Sequence, residues 1–291
     1  MVLLQEYIGV TSALAAAVFF SSSRILVRLG LKAGYVEQAH FISVLMNNLV
    51  LWPIAAFYAY ATNTFPNLSS LMIFLIGGFF ATGLGRFLTF STLKRLTATE
   101  STPFVSISPL FASMIAVFFM GEAPTINLLI GIILVTSGLL IVSKLQENGK
   151  RLAFFVGIVA SFFYSVGEVL RKYGTSITPN PPIGAAIGSL AALIFLPFYK
   201  SNRINNFRIN RFFYLAGLST SIALLLVFVS YATAPLIVAL PLINTSPVFT
   251  LCLGYLIARH SEKLGLRIIV GILMVMTGVI FIVINQILLN V

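Results

Sequence analysis

Ten long apolar runs follow one another through this chain with only short polar joints between them, and this pattern limits the fold more than any other feature. The runs lie near residues 7–29, 38–61, 71–93, 97–120, 126–143, 152–173, 183–199, 212–231, 236–257 and 266–288. A helix crossing the roughly 30 Å hydrocarbon core of a bilayer needs about 20 mostly apolar residues, so each run is predicted to be a transmembrane helix. A β-barrel is excluded, because the runs are continuous rather than alternating and far exceed the roughly ten residues of a barrel strand. Composition agrees: 59% of the chain is hydrophobic and 9% charged, against about 45–50% and about 25% in soluble domains. The predicted fold class is an all-α integral membrane protein of ten transmembrane helices.

The joints leave no room for a soluble catalytic domain, the longest spanning about residues 200–211. The first run lacks a basic leader and a small-residue cleavage pattern, so it is expected to be a retained span. Cys252 is the only cysteine, which rules out an intramolecular disulfide. The chain has no Asp, and His40 and His260 stand far apart with no ligand spacing around them, so no metal site is expected. Neither a Ser/His/Asp set nor a glycine-rich phosphate loop is present, so neither an enzyme nor a cofactor is expected. The net charge of +11 sits mostly in joints at the membrane edge. There it meets anionic lipid rather than nucleic acid.

The chain repeats itself. "PFVSISPLF" at 103–111 aligns with "PLINTSPVF" at 241–249 at an offset of 138, pairing Pro103 with Pro241, Ser108 with Ser246, Pro109 with Pro247 and Phe111 with Phe249. At an offset of 140, Glu122 falls on Glu262, Gly131 on Gly271 and Gly138 on Gly278. A weaker match sets "SSSRILVRLG" on "SVGEVLRKYG", pairing Ser21 with Ser165 and Gly30 with Gly174. Two five-helix repeats are therefore expected, at 1–148 and 149–291. An odd number of spans reverses the second repeat, which gives inverted topology about an axis in the membrane plane. Such halves can exchange conformations around a shared site, as carriers do. A membrane scaffold or assembly subunit, and a channel, stay open as alternatives.

Ten spans in two copies, with "SPLFASMIAVFFMGE" and "GIILVTSGLLIV" recurring as "SPVFTLCLGYLIARHSE" and "GILMVMTGVIFIV", resemble the drug/metabolite transporter superfamily and its EamA-type members. The resemblance implies a secondary transporter of small organic molecules in the cell membrane, often an exporter of amino acids or related metabolites. Relatives that carry nucleotide sugars or phosphorylated metabolites keep those substrates open. Ser261-Glu262 departs from the Gly-Glu usual in the family, and the first span lacks the glutamate that small four-span multidrug members use for proton coupling.

Charge inside a span is costly, about 2.5–3.5 kcal/mol at its centre on insertion scales, and so marks candidate sites. Arg24, Arg86 and Glu100 all approach one membrane face and are expected to form a polar cluster. Either Glu100 pairs with an arginine, or the arginines meet a carboxylate or phosphate of the substrate. Arg24 is also close enough to a helix end to snorkel to water. Glu168 takes the slot of Arg24 in the second half and pairs with Arg171 or Lys172, or serves as a gate or proton site. Asn47 and Asn48 need a partner within the bundle or the cavity. Pro103, Pro109, Pro241 and Pro247 are expected to kink the fourth and ninth spans as hinges, with Ser106, Ser108, Asn244 and Thr245 supplying donors to the freed carbonyls. Tyr164 and Tyr231 are expected to anchor at the membrane interface or to stack on a substrate ring.

Orientation pulls two ways. Fourteen lysines and arginines fall on the side reached after the odd-numbered spans, against Arg171 and Lys172 on the other. The positive-inside rule then puts both termini outside, whereas the family resemblance implies both inside. The expected partners are a small-molecule substrate and membrane lipid, with the chain a monomer or homodimer.

Overall fold

The structure, a computed structural model, describes residues 2–98, 100–101, 104, 107–108, 110–112, 114–115, 126–143, 151–198, 210–234, 236–257 and 265–289. The described residues are almost entirely helical. Helix α1 covers Val2–Leu31 and α2 Val36–Thr62, joined by a tight turn. Asn63 takes the left-handed conformation, φ 50°, that ends α2. Helix α3, Leu68–Gly78, begins where the Asn67 side chain accepts the Ser70 amide at 2.8 Å. It runs through a π-helical stretch, Phe79–Gly85, into α4, Arg86–Arg95, making one continuous rod. Then come α5, Ile126–Ser143, and α6, Arg151–Ile177. Helix α7, Pro181–Ala191, opens with two prolines in its first turn behind an Asn180 cap and continues as a 3-10 helix, Ala192–Phe198. Helix α8 covers Arg211–Thr233. The predicted ninth span is two helices, α9 over Leu236–Ile243 and α10 over Ser246–Ile257, and α11 over Leu266–Leu289 closes the chain.

Among the described residues, five stretches are long and apolar enough to cross a membrane: Tyr7–Leu31, Val36–Thr62, Leu68–Arg95, Arg151–Ile177 and Arg211–Thr233. Shorter apolar helices cover Pro181–Phe195, Ser246–Leu256 and Ile269–Gly278. The distribution of side chains is that of a protein surrounded by hydrocarbon. Large apolar residues such as Phe57, Tyr60, Leu256 and Leu273 face outward, while arginines, serines, threonines and asparagines are buried among the helices.

The two halves exchange partners. Helix α1 packs along α8, and its repeat counterpart α6 packs along the α3–α4 rod. Small residues permit both approaches: Gly30 of α1 lies against the Phe213 ring, and Gly174 of α6 against the Phe74 ring, with no room for a Cβ at either glycine. Helix α5 packs on α11, where a Cβ on Gly138 would stand 2.6 Å from the Gly271 carbonyl oxygen. Basic side chains cap equivalent helix ends. Arg28 donates to the carbonyls of Leu93 and Lys94 at 2.7 and 3.1 Å, and Lys172, in the matching slot of α6, donates to those of Tyr231 and Ala234 at 2.6 and 2.9 Å.

Candidate functional site

Ser21 and Ser165, the matched serines of α1 and α6, reach across to the opposite half in the same way. Ser21 donates to the Ser246 carbonyl at 2.8 Å, and Ser165 donates to the Ser108 carbonyl at 2.7 Å. Ser246 and Ser108 are themselves a repeat pair, so the crossed bonds express the duplication in three dimensions. Ser108 also donates to Asn244 Oδ1 at 3.3 Å. Where these segments meet, a cavity of about 40 Å³ lies between the halves. Phe20 and Arg24 of α1 and Ser108 form part of its wall, Tyr164 and Glu168 of α6 another, and Leu240, Ile243, Asn244 and Ser246 the remainder.

Arg24 is buried and donates to Ser246 Oγ at 3.0 Å, so it turns inward rather than snorkelling. Arg86, 3% exposed, begins α4 and donates to Ser43 Oγ at 3.2 Å. Ser43 in turn meets Thr220 Oγ1 of α8 at 3.3 Å. The Tyr164 phenol lies within electrostatic reach of both Arg24 and Arg86, so its expected role as an interfacial anchor gives way to a place in the cavity wall.

Glu168 is clasped from two sides. Arg171 forms an ion pair with Oε1 at 2.8 Å, one turn along α6, and the Tyr231 hydroxyl donates to Oε2 at 2.7 Å. Arg171 also donates to Thr82 Oγ1 at 2.5 Å, and its guanidinium lies 5.8 Å from the centre of the Phe228 ring. Two expectations are corrected here. Arg171 is 2% exposed within α6, so it is not a joint residue, and Tyr231, 1% exposed, is packed inside the bundle against Glu168 rather than set against lipid. The aromatic rings and hydroxyls around them make burial tolerable.

Glu100 does not bridge the arginines, which hold serine hydroxyls instead. It accepts the Thr97 amide at 2.8 Å while Thr97 Oγ1 accepts the Glu100 amide at 3.1 Å, a reciprocal box that starts a helix. Asn47 accepts from Ser221 at 3.0 Å, linking α2 to α8, and its buried Nδ2 has no hydrogen-bond partner. Asn48 donates to the Val44 carbonyl at 2.8 Å and accepts from Trp52 at 3.1 Å. Pro247 stands in the first turn of α10, where a missing amide costs nothing, so it starts a helix after the Asn244–Thr245 turn rather than bending one. Pro241 falls within α9. Pro103, Pro109 and Ser106 lie outside the described residues.

Several participants have no counterpart among the expected site residues. Thr82 lies in the π-helical stretch, its carbonyl 2.9 Å from His40 Nε2 and its hydroxyl on Arg171. Stretches of π-helix recur at functional sites because they redirect backbone groups. Ser43, Thr220 and Ser221 read from sequence as ordinary hydroxyls in membrane helices.

Long apolar helices, an outward apolar surface and polar side chains buried between exchanged halves define a multi-pass integral membrane protein. The sequence matches the model of the EamA-like transporter family over residues 7–144 and again over 151–284. The chain belongs to this family, and is a membrane transporter of the drug/metabolite transporter superfamily. Its fold is similar to a crystal structure described only as that of a protein, with a TM-score of 0.62 at 16% identity, covering 94% of this chain and 98% of that one. No curated protein matches the sequence.

Proposed function

We propose that the protein is a secondary carrier that moves a small polar organic solute across the cell membrane by alternating access, an amino acid or related metabolite exported from the cell. The observation that carries this is the cavity walled by matched segments of both halves, with Arg24 and Glu168 at equivalent positions on its two sides. At about 40 Å³ it has room for water but not for an organic molecule. Binding therefore requires the helices to part, first toward one side and then toward the other. Two five-helix repeats at 1–148 and 149–291, inverted relative to each other within ten spans, supply that motion. The break between α9 and α10, with Pro247 behind it and Pro241 before it, acts as a hinge, and Pro103 and Pro109 act likewise in the first half.

In this reading Arg24, Arg86 and Asn244 orient the solute, with Ser106, Ser108, Thr245, Asn47 and Asn48 as neutral contacts and Glu100 as an exchangeable counter-charge, while Glu168 balances Arg171 in the cavity wall. The excess of basic joints places both termini outside. Counterflow in proteoliposomes tests the carrier: vesicles preloaded with an amino acid mixture should accumulate labelled amino acid transiently and saturably. A conductance that never saturates would assign the protein to the channels. No uptake of amino acids, phosphorylated metabolites or nucleotide sugars would leave the scaffold.

A further inference from the structure

We propose that the central cavity is built for a solute with net negative charge, carrying two anionic groups on a small organic frame, and that Arg24 and Arg86 hold those groups. The proposal rests on the carrier reading above and narrows its substrate. Among amino acids it selects the dicarboxylic ones.

The observation behind it is an imbalance of buried charge. Arg24 and Glu168 line the cavity, Arg171 is buried against Glu168, and Arg86 is buried beside Tyr164 of the cavity wall, so three buried arginines stand against one glutamate there. Glu168 is already committed, with one oxygen on Arg171 and the other on Tyr231. That pair neutralises itself. Arg24 and Arg86 are left with uncharged partners, the hydroxyls of Ser246 and Ser43, and no carboxylate of the described residues forms an ion pair with either.

A guanidinium withdrawn from water without a counter-charge is strongly disfavoured, and its forked donors are matched to carboxylate and phosphate oxygens. Tyr164 lies in the cavity wall within electrostatic reach of both arginines, so an anion over its phenol is near each. The sign of the imbalance decides the class of solute. A neutral zwitterion adds as much positive charge as negative and leaves the excess in place. A cation increases it. Only a net anion offsets it, and two negative charges match two unopposed arginines.

The repeat sharpens the point. Arg24 and Glu168 occupy equivalent positions in the two halves, so the duplication itself gives the cavity a charged side chain on each wall. Arg171 and Tyr231 withdraw the negative one from the ligand, and the cavity keeps a positive bias.

The test uses the purified full chain in detergent, with succinate, glycerol 3-phosphate, alanine and lysine as probes, sodium sulfate as the ionic control, and the thermal midpoint as readout. Succinate or glycerol 3-phosphate should raise the midpoint at concentrations at least tenfold below those at which alanine does so. Arg24→Gln and Arg86→Gln should each shift that concentration upward at least tenfold, while Arg24→Lys and Arg86→Lys recover part of the loss. The two active probes distinguish a dicarboxylate from a phosphate monoester. Equal effects of alanine and succinate overturn the proposal, as does a succinate shift that survives both glutamine variants or is reproduced by sulfate. If a variant fails to fold, the selectivity of the unmodified protein decides alone. Proteoliposome exchange separates the two readings. An arginine-dependent succinate shift without exchange sinks the carrier and leaves the anion site, whereas exchange of alanine with no succinate shift does the opposite.

Discussion

Glu168→Gln is the substitution with the best-defined expected effect. It keeps the shape of the side chain and the hydrogen bond with Tyr231 but removes the charge opposite Arg171, whose side chain is 3% exposed. Removing one partner of a buried ion pair typically costs about 3–5 kcal/mol, because the remaining charge is stranded. Arg171 retains Thr82 and the face of Phe228, and the Glu168 side chain is 12% exposed to the cavity, so the lower end applies, about 3 kcal/mol. That is roughly a hundredfold in the unfolding equilibrium. The double variant Glu168→Gln/Arg171→Met removes both charges and should recover most of the loss, since buried pairs replaced by apolar groups are often neutral. Equilibrium unfolding in mixed detergent micelles, followed by helical circular dichroism, measures both variants. If Glu168→Gln unfolds with the unmodified protein, or if the double variant is no better than the single one, the ion pair is not what holds Arg171 in the bundle.

Other perturbations give equally definite outcomes. Gly78 and Gly188 face each other between the α3 rod and α7, but a Cβ on Gly78 collides with the Gly188 backbone while one on Gly188 meets its nearest atom at 3.5 Å. Gly78→Ala should therefore lower stability by about 1–3 kcal/mol or more and Gly188→Ala should leave it nearly unchanged, both read as thermal midpoints. Ser21→Ala and Ser165→Ala should each cost about 0.6 kcal/mol, the usual worth of an interhelical hydrogen bond in a membrane. Similar losses in detergent unfolding would match the symmetry of their crossed bonds. With Cys252 changed to serine, Phe65→Cys should react with an impermeant thiol reagent on intact cells and Lys32→Cys only after permeabilisation. The reverse pattern would put the termini inside.

The helices and the duplication were legible because both are written in long-range regularities of sequence. Run length marked the five long apolar helices found among the described residues, and the serine and proline offsets marked the repeat. The site was legible only in part. Arg24, Arg86 and Glu168 stood out because charge in an apolar run is costly, but which of them pair depends on helix rotation, which apolar runs do not encode. Arg171 was misplaced because its neighbours Lys172 and Tyr173 look like the end of a span, and only the packing of α6 on α3 and α8 draws it inside. The Thr97-to-Glu100 box, by contrast, was present in the sequence as a cap motif, a threonine three residues before a glutamate, and only its geometry in the fold brought it out. Nothing in "FFATGLG" distinguishes a π-helical stretch from an α-helix, so Thr82 had no signal of its own.

The exchange of partners between the halves bears on how the chain is made. Helix α1 is made before α8, and the ring that fills its Gly30 notch, Phe213, follows more than 180 residues later. Until then the face of α1 around Gly30 lacks the partner it has in the finished fold. A chain stopped after residue 150 would hold the whole first family match and still lack the ring that seats its first helix. Two separately expressed halves, on the other hand, carry all the complementary surfaces and should assemble when they meet in the same membrane.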